Sequence, residues 1–207
     1  VSIEAGTVTI TEKSRVASDS FTDGDAGSIS IKADTLEVTD NARVYAGALN
    51  AGNGGAIEID AGQLRLATQG AIVADVRDTG DGGTVHIKAG ELVIDHGSVY
   101  GSTSGSGVGS RVRVEAGGLR LANGGRIESA AFGLGQAGEL VAEFTMQPSR
   151  QYFLEAAAAV DGEWRSMPGD VYQPTPGAIS ETIRVPLAGP DTGKKRFFRL
   201  RVKRLAD

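Results

Sequence analysis

The chain has 207 residues, a net charge of −5 and no cysteine, which excludes disulfide staples and the usual cysteine metal spacings. Acidic and basic residues are interspersed, arguing against a nucleic-acid surface, and no apolar run approaches the ~20 residues that span a bilayer. All six prolines lie at or beyond Pro148, whereas 25 of the 30 glycines lie in residues 1–144, so the composition divides the chain in two.

In chain order, Val1, Ile29, Ile57, Val85, Val112 and Leu140 open equivalent stretches 27 to 28 residues apart. Each repeat carries three groups of alternating apolar and polar residues, which predicts three short strands per turn with side chains pointing alternately in and out. Four inward columns follow. They are Ile3, Ile31, Ile59, Ile87, Val114; Val8, Leu36, Leu64, Leu92, Leu119; Ile10, Val38, Leu66, Ile94, Leu121; and Val16, Val44, Ile72, Val99, Ile127. Such columns are continuous only if successive coils are in register, so residues 1–144 are expected to form a single-stranded parallel β-helix of about five coils.

Leu64 to Leu92 keeps 28 residues while Ile72 to Val99 has 27, which places a one-residue deletion at the Asp95-His96-Gly97 corner. A corner tolerates it because no inward column passes through. Gly24-Asp25, Gly52-Asn53-Gly54-Gly55 and Gly80-Asp81-Gly82-Gly83 put an Asx residue at the same place in three coils, as tight turns favour. The stretches 17–27, 46–54, 74–82 and 101–110 recur in phase and are expected to stack into one ridge, not a cleft.

The outward residues Glu4, Lys32, Asp60, Lys88 and Glu115 alternate in sign. At about 4.8 Å between coils they form a ladder of exposed pairs, each contributing ~0.5 kcal/mol at most. Catalytic β-helices that cleave polysaccharides cluster acids on one face with a cation or basic residues. Here Glu4, Asp60 and Glu115 stand two coils, roughly 9.6 Å, apart, and charge alternation accounts for them without catalysis. Asp75, Asp78 and Asp81 crowd one loop as a candidate weak cation site, against the plainer reading of a solvated turn. His86 on a strand and His96 at a corner lack a Ser, Cys or His partner at motif spacing and read as surface residues. The residues thus assign no catalytic, cofactor or resident metal site.

Beyond a boundary near Thr145 to Pro148, residues 145–207 carry four β-like runs separated by Gly, Pro and Asp turns. These are Tyr152-Phe153-Leu154, Glu163-Trp164-Arg165, Thr182-Ile183-Arg184-Val185 and Arg196 to Val202. Six of the eleven aromatic residues fall here, as a small core requires. In the last run Arg199, Arg201 and Lys203 share one face, a candidate contact for polyanions or glycans against the plainer reading of a charged outer face. Trp164 is either a core residue or a sugar-stacking platform, and a lone Trp in a minimal sandwich favours the core.

The recurring G-[DN]-G-G, A-G-x-L-x-L, N-G-G or D-H-G corner and x-I-x-[AS] phrases, clearest in Leu119 to Val141, resemble the filamentous-haemagglutinin-like exoproteins of bacterial two-partner secretion. The resemblance covers residues 1–144. It implies a right-handed parallel β-helix on a large secreted protein, exported through an outer-membrane partner and used for adhesion or surface structure; the family's N-terminal secretion domain is missing from these residues. The tail, with Y-x-L, G-x-W and a final R-F-F-R-L-R-V, resembles a small antiparallel β-sandwich module of bacterial surface proteins, except that Ala156 to Ala159 replace a polar turn.

The expectation is therefore a non-enzymatic structural or adhesive protein of the bacterial cell surface, with surface glycans or host and matrix receptors as partners. The alternative is a carbohydrate-active β-helix with an accessory sandwich. Val1 lies inside the repeat with no capping segment before it, so the chain is expected to be part of a longer protein or an assembling unit. Its edge residues Ile3, Val8, Ile10 and Val16 would then meet upstream coils or another copy.

Overall fold

The computed structural model describes residues 1–132, 138–145, 150–157, 165–172, 181–184 and 197–204. Among them there is no helix; the chain is a β-solenoid of about five turns. Long strands β1 (Ser2–Ile10), β3 (Ile29–Val38), β5 (Ala56–Ala67), β7 (Thr84–Asp95) and β9 (Arg111–Ala122) alternate with short ones. The short strands are β2 (Arg15–Ala17), β4 (Arg43–Tyr45), β6 (Ala71–Val76), β8 (Ser98–Thr103) and β10 (Arg126–Ala131), and β11 (Glu139–Thr145) begins a sixth coil.

Each coil holds two strands where the sequence pattern predicts three. The first two apolar groups belong to one continuous strand: β3 and β5 pair through Ala33 and Ala61, skip one position, and resume at Thr35 and Gln63. That position is a bend within a strand, and period-2 patterning does not distinguish a bend from a break.

The long strands stack parallel in the order β1-β3-β5-β7-β9-β11, and the short ones as β2-β4-β6-β8-β10. Residue-to-residue pairing joins every inward column, from Ile3, Ile31, Ile59, Ile87 and Val114 on one sheet to Val16, Val44, Ile72, Val99 and Ile127 on the other. These columns meet between the sheets as one apolar core, in which Ile31, Leu64, Ile72, Ile87 and Leu92 are fully buried. Ile3, Val8 and Val16, in the first coil, are only partly buried, and Ile10 is buried.

The corner after each long strand places consecutive residues at positive φ, as in Asp40-Asn41 (54° and 62°) and Thr68-Gln69 (47° and 66°). In the fourth coil only His96 does so, at 57°. Pairing supports the deletion here: Asp95 and Ser98 align with Ala67 and Ala71, so two residues span what three span one coil earlier. The in-phase loops do stack as a ridge, through the bridges Ser20 to Ala48 and Ala48 to Val76. Their glycines permit it: a Cβ at Gly52 or Gly80 would collide with the carbonyl of Gly24 or Gly52 in the preceding coil.

The tail contributes β12 (Arg150–Ala157), β13 (Arg165–Tyr172), β14 (Glu181–Arg184) and β15 (Phe197–Arg204). All pair antiparallel, as expected, but onto the solenoid. β14 adds to β11, β15 adds to β10, and β12 and β13 continue outward from β15. The C-terminal edges of both parallel sheets are thus paired, which satisfies backbone groups that an open stack would expose.

Candidate functional site

Two outer faces carry the functional candidates. On the long-strand sheet the column Glu4, Lys32, Asp60, Lys88, Glu115 is in register as predicted, and Glu143 continues it. Lys32 Nζ stands 3.4 Å from Glu4 Oε1, with both side chains largely exposed. A second rung, Arg65 Nη1 to Glu37 Oε1 at 2.9 Å, joins β5 to β3 on the other half of the long strands.

Glu115 is engaged from the neighbouring column instead. Arg113 Nε lies 2.5 Å and His86 Nε2 3.0 Å from its Oε1. The Arg113 hydrogen bond, then that of His86, holds the Glu115 carboxyl below the usual glutamate range. His86 therefore has a partner that motif spacing did not reveal, because pairing of β7 with β9 brings it there. The acids considered for catalysis do not converge: Asp60 lies between Lys32 and Lys88 in register, and Glu4 belongs to the first coil.

The outer face of the short-strand sheet holds a cluster absent from the sequence expectations. Tyr45, Val73 and Tyr100 align across β4, β6 and β8. Tyr45, Ala71 and Val73 are buried although they point away from the solenoid core, and Tyr100 packs against them. Gly47 makes room for this arrangement: a methyl there would stand 2.5 Å from Tyr45 Oη and 2.6 Å from the Asp75 carbonyl oxygen. The Arg15 guanidinium lies 4.9 Å from the Tyr45 ring centre, a cation–π geometry. Its Nη2 is 2.7 Å from Asp19 Oδ2.

The cluster's electrostatics follow from its burial. Burial raises the Tyr45 hydroxyl well above the usual tyrosine range, and the Asp75 carboxylate and its hydrogen bond add to this. Burial raises Tyr100 too, with Asp75 reinforcing. Asp75 is itself raised by burial, against the lowering effects of the Tyr45 hydrogen bond and of Arg77 and Arg43. Asp19 Oδ1 and Asp75 Oδ1 are buried and lack a hydrogen-bond partner among the described residues. Half-exposed Tyr100 and exposed Arg43 and Arg77 offer an aromatic face and donors on one strip, beside the partly buried Asp75. The signal that would have found it is the outward column of the short strands, which runs Ala17, Tyr45, Val73, Tyr100, apolar or aromatic where solvent is expected, before it reaches Glu128.

No family model matches the chain, and no curated protein or solved structure matches it.

Two of the three aspartates expected to share a loop are engaged elsewhere. Asp75 lies on β6 and is engaged by Tyr45, while Asp81 Oδ1 accepts the Val108 N–H at 2.8 Å. Among the described residues no three His, Asp or Glu side chains are grouped to hold a metal ion. Asp81 belongs instead to an Asx ladder. Asp25 Oδ1 accepts the Asn53 N–H at 2.8 Å, and Asn53 Oδ1 accepts the Asp81 N–H at 2.9 Å. The aligned Asx residues thus cap the next coil, not their own turn. His96 sits at the shortened corner.

Arg199, Arg201 and Lys203 lie on β15, opposite Glu128 and Glu155, Phe153, and Gln151 in backbone register. Their side chains, and Trp164 with its neighbours up to 164, lie outside the described residues. No helix among the described residues is long and apolar enough to cross a membrane.

Proposed function

We propose that this chain is a non-catalytic segment of a secreted or bacterial cell-surface exoprotein of the filamentous-haemagglutinin-like kind, in which a right-handed solenoid serves as an adhesive or structural rod. The observation that carries the reading is uniformity. Coil after coil repeats the same register, and the long loops stack on one another through glycine contacts, so among the described residues no single coil builds a cleft. The β1 and β2 edges, with Ile3, Val8, Ile10 and Val16 behind them, are where upstream coils or a second copy would add strands. The test is to present the purified chain to surface glycans and matrix proteins while assaying polysaccharides for cleavage. Retention without turnover supports the rod; turnover of any polysaccharide overturns it.

The carbohydrate-active alternative draws on the strip of Tyr45, Tyr100, Arg43, Arg77 and Asp75, whose aromatic and ionic groups suit hydroxyl-rich ligands. Replacing Tyr100 and Arg43 by Ala tests this face: loss of glycan retention assigns binding to it, and unchanged retention assigns it elsewhere.

A further inference from the structure

The tripeptide Asn-Gly-Gly occurs twice, at 53–55 and 123–125. An Asn followed by Gly is the sequence most open to attack by the following backbone nitrogen on the side-chain amide, since Gly offers no Cβ to hinder the approach. The two copies have the same local chemistry, yet the fold places them differently.

At the first, every group the reaction needs is tied into the stack. The Gly54 N–H donates to the Asp81 carbonyl oxygen at 2.9 Å. The Asn53 side chain accepts the Asp81 N–H at 2.9 Å, and the Asn53 N–H donates to Asp25 Oδ1 at 2.8 Å. Attack requires the ridge to open there.

At the second, the corner belongs to the last full coil. In the coils below, the equivalent N–H is held by the next corner: Lys13 to the Asp40 carbonyl, Asn41 to Thr68 and Gln69 to His96. The Gly124 N–H has no partner among the described residues, and nothing among them lies within 4 Å of where a Cβ on it would stand. Asn123 and Gly124 are exposed, at φ of 48° and 80°. The Asn123 side chain is held by one exposed hydrogen bond, Nδ2 to Asp95 Oδ1 at 2.6 Å.

We infer that Asn123 is a site of spontaneous deamidation and isoaspartate formation in the folded protein, and that Asn53 is protected. Hydroxide removes the Gly124 amide proton, the nitrogen bonds to Asn123 Cγ, and the Cγ–Nδ2 bond breaks with loss of ammonia. Water then opens the succinimide. Cleavage of the new N–Cγ bond gives aspartate; cleavage at the original backbone carbonyl gives isoaspartate. Either product sets a carboxylate against Asp95 where an amide donor stood, at the corner joining β9 to β10.

The experiment incubates the full chain in mildly alkaline buffer and follows both sites by mass spectrometry of tryptic peptides 121–126 and 44–65, with isoaspartyl methyltransferase labelling. Asn123 is expected to convert at least about tenfold faster than Asn53 when folded, because only Asn53 needs local opening. In urea the two rates are expected to converge. Equal rates in the folded chain, faster conversion at Asn53, or conversion of both only in urea would overturn the inference.

Discussion

Replacing Asn53 by Asp tests the Asx ladder with one nearly isosteric change. The carboxylate still accepts the Asp81 N–H, so the hydrogen bond is kept. It also puts a charge between Asp25 and Asp81, each one coil away in the same column. Two unit charges at the coil spacing of about 4.8 Å repel by about 0.9 kcal/mol in bulk water. Two such neighbours give a loss of roughly 1 to 2 kcal/mol at low ionic strength. The Debye length shrinks from about 10 Å at 0.1 M salt to about 3 Å at 1 M, so most of the loss is recovered in concentrated salt. Asn53→Ala, by contrast, removes the acceptor and is expected to cost about 1 kcal/mol at either salt concentration. Urea titrations of the three proteins at both concentrations decide the matter. An equal loss for Asn53→Asp at low and high salt would refute the charge-spacing argument.

Leu64→Ala, in the middle of a fully buried column, is expected to lose about 3 kcal/mol, while Lys88→Ala loses under ~1 kcal/mol; comparable denaturant midpoints would reverse the inward and outward assignments. Gly47→Ala forces the Tyr45 ring off its seat, which tyrosine fluorescence and a lowered melting temperature would register; an unchanged Tyr45 environment would show that the seat is not needed. Asp75, raised by burial, binds its proton more tightly folded than unfolded, so its contribution favours the fold below the ordinary aspartate range and is lost as pH rises through the raised value. Asp75→Asn is expected to flatten that part of the pH-stability curve, and an unaltered slope would count against it. Thr9→Pro removes an edge donor facing away from β3, since the adjacent Ile10 carbonyl accepts the Thr39 N–H; sedimentation is expected to show weaker self-association with the later coils intact.

The inward columns were legible because burial imposes a period of two on every strand, and the equal spacing carried that pattern from coil to coil. The deletion at Asp95-His96-Gly97 was legible for the same reason. Pairing of the tail was not: which edge β14 and β15 join is a long-range choice that local alternation does not encode. Tyr45 and Asp75 meet across 30 residues of sequence, and the cue lay in the outward column of the short strands, whereas only the charged outward column of the long strands was read. His86 and Glu115 likewise adjoin diagonally between neighbouring coils, where motif spacing has no meaning.

The direction of the ladder hydrogen bonds has a mechanical consequence. They run between coils, along the solenoid axis, so tension applied end to end loads successive coil interfaces in series, and the weakest parts first. Each coil that peels away frees about 28 residues of contour, up to roughly 95 Å when extended, in place of a rise of about 4.8 Å. A solenoid of this construction under pull would lengthen in discrete steps of nearly equal size, dissipating work at each one and blunting abrupt force.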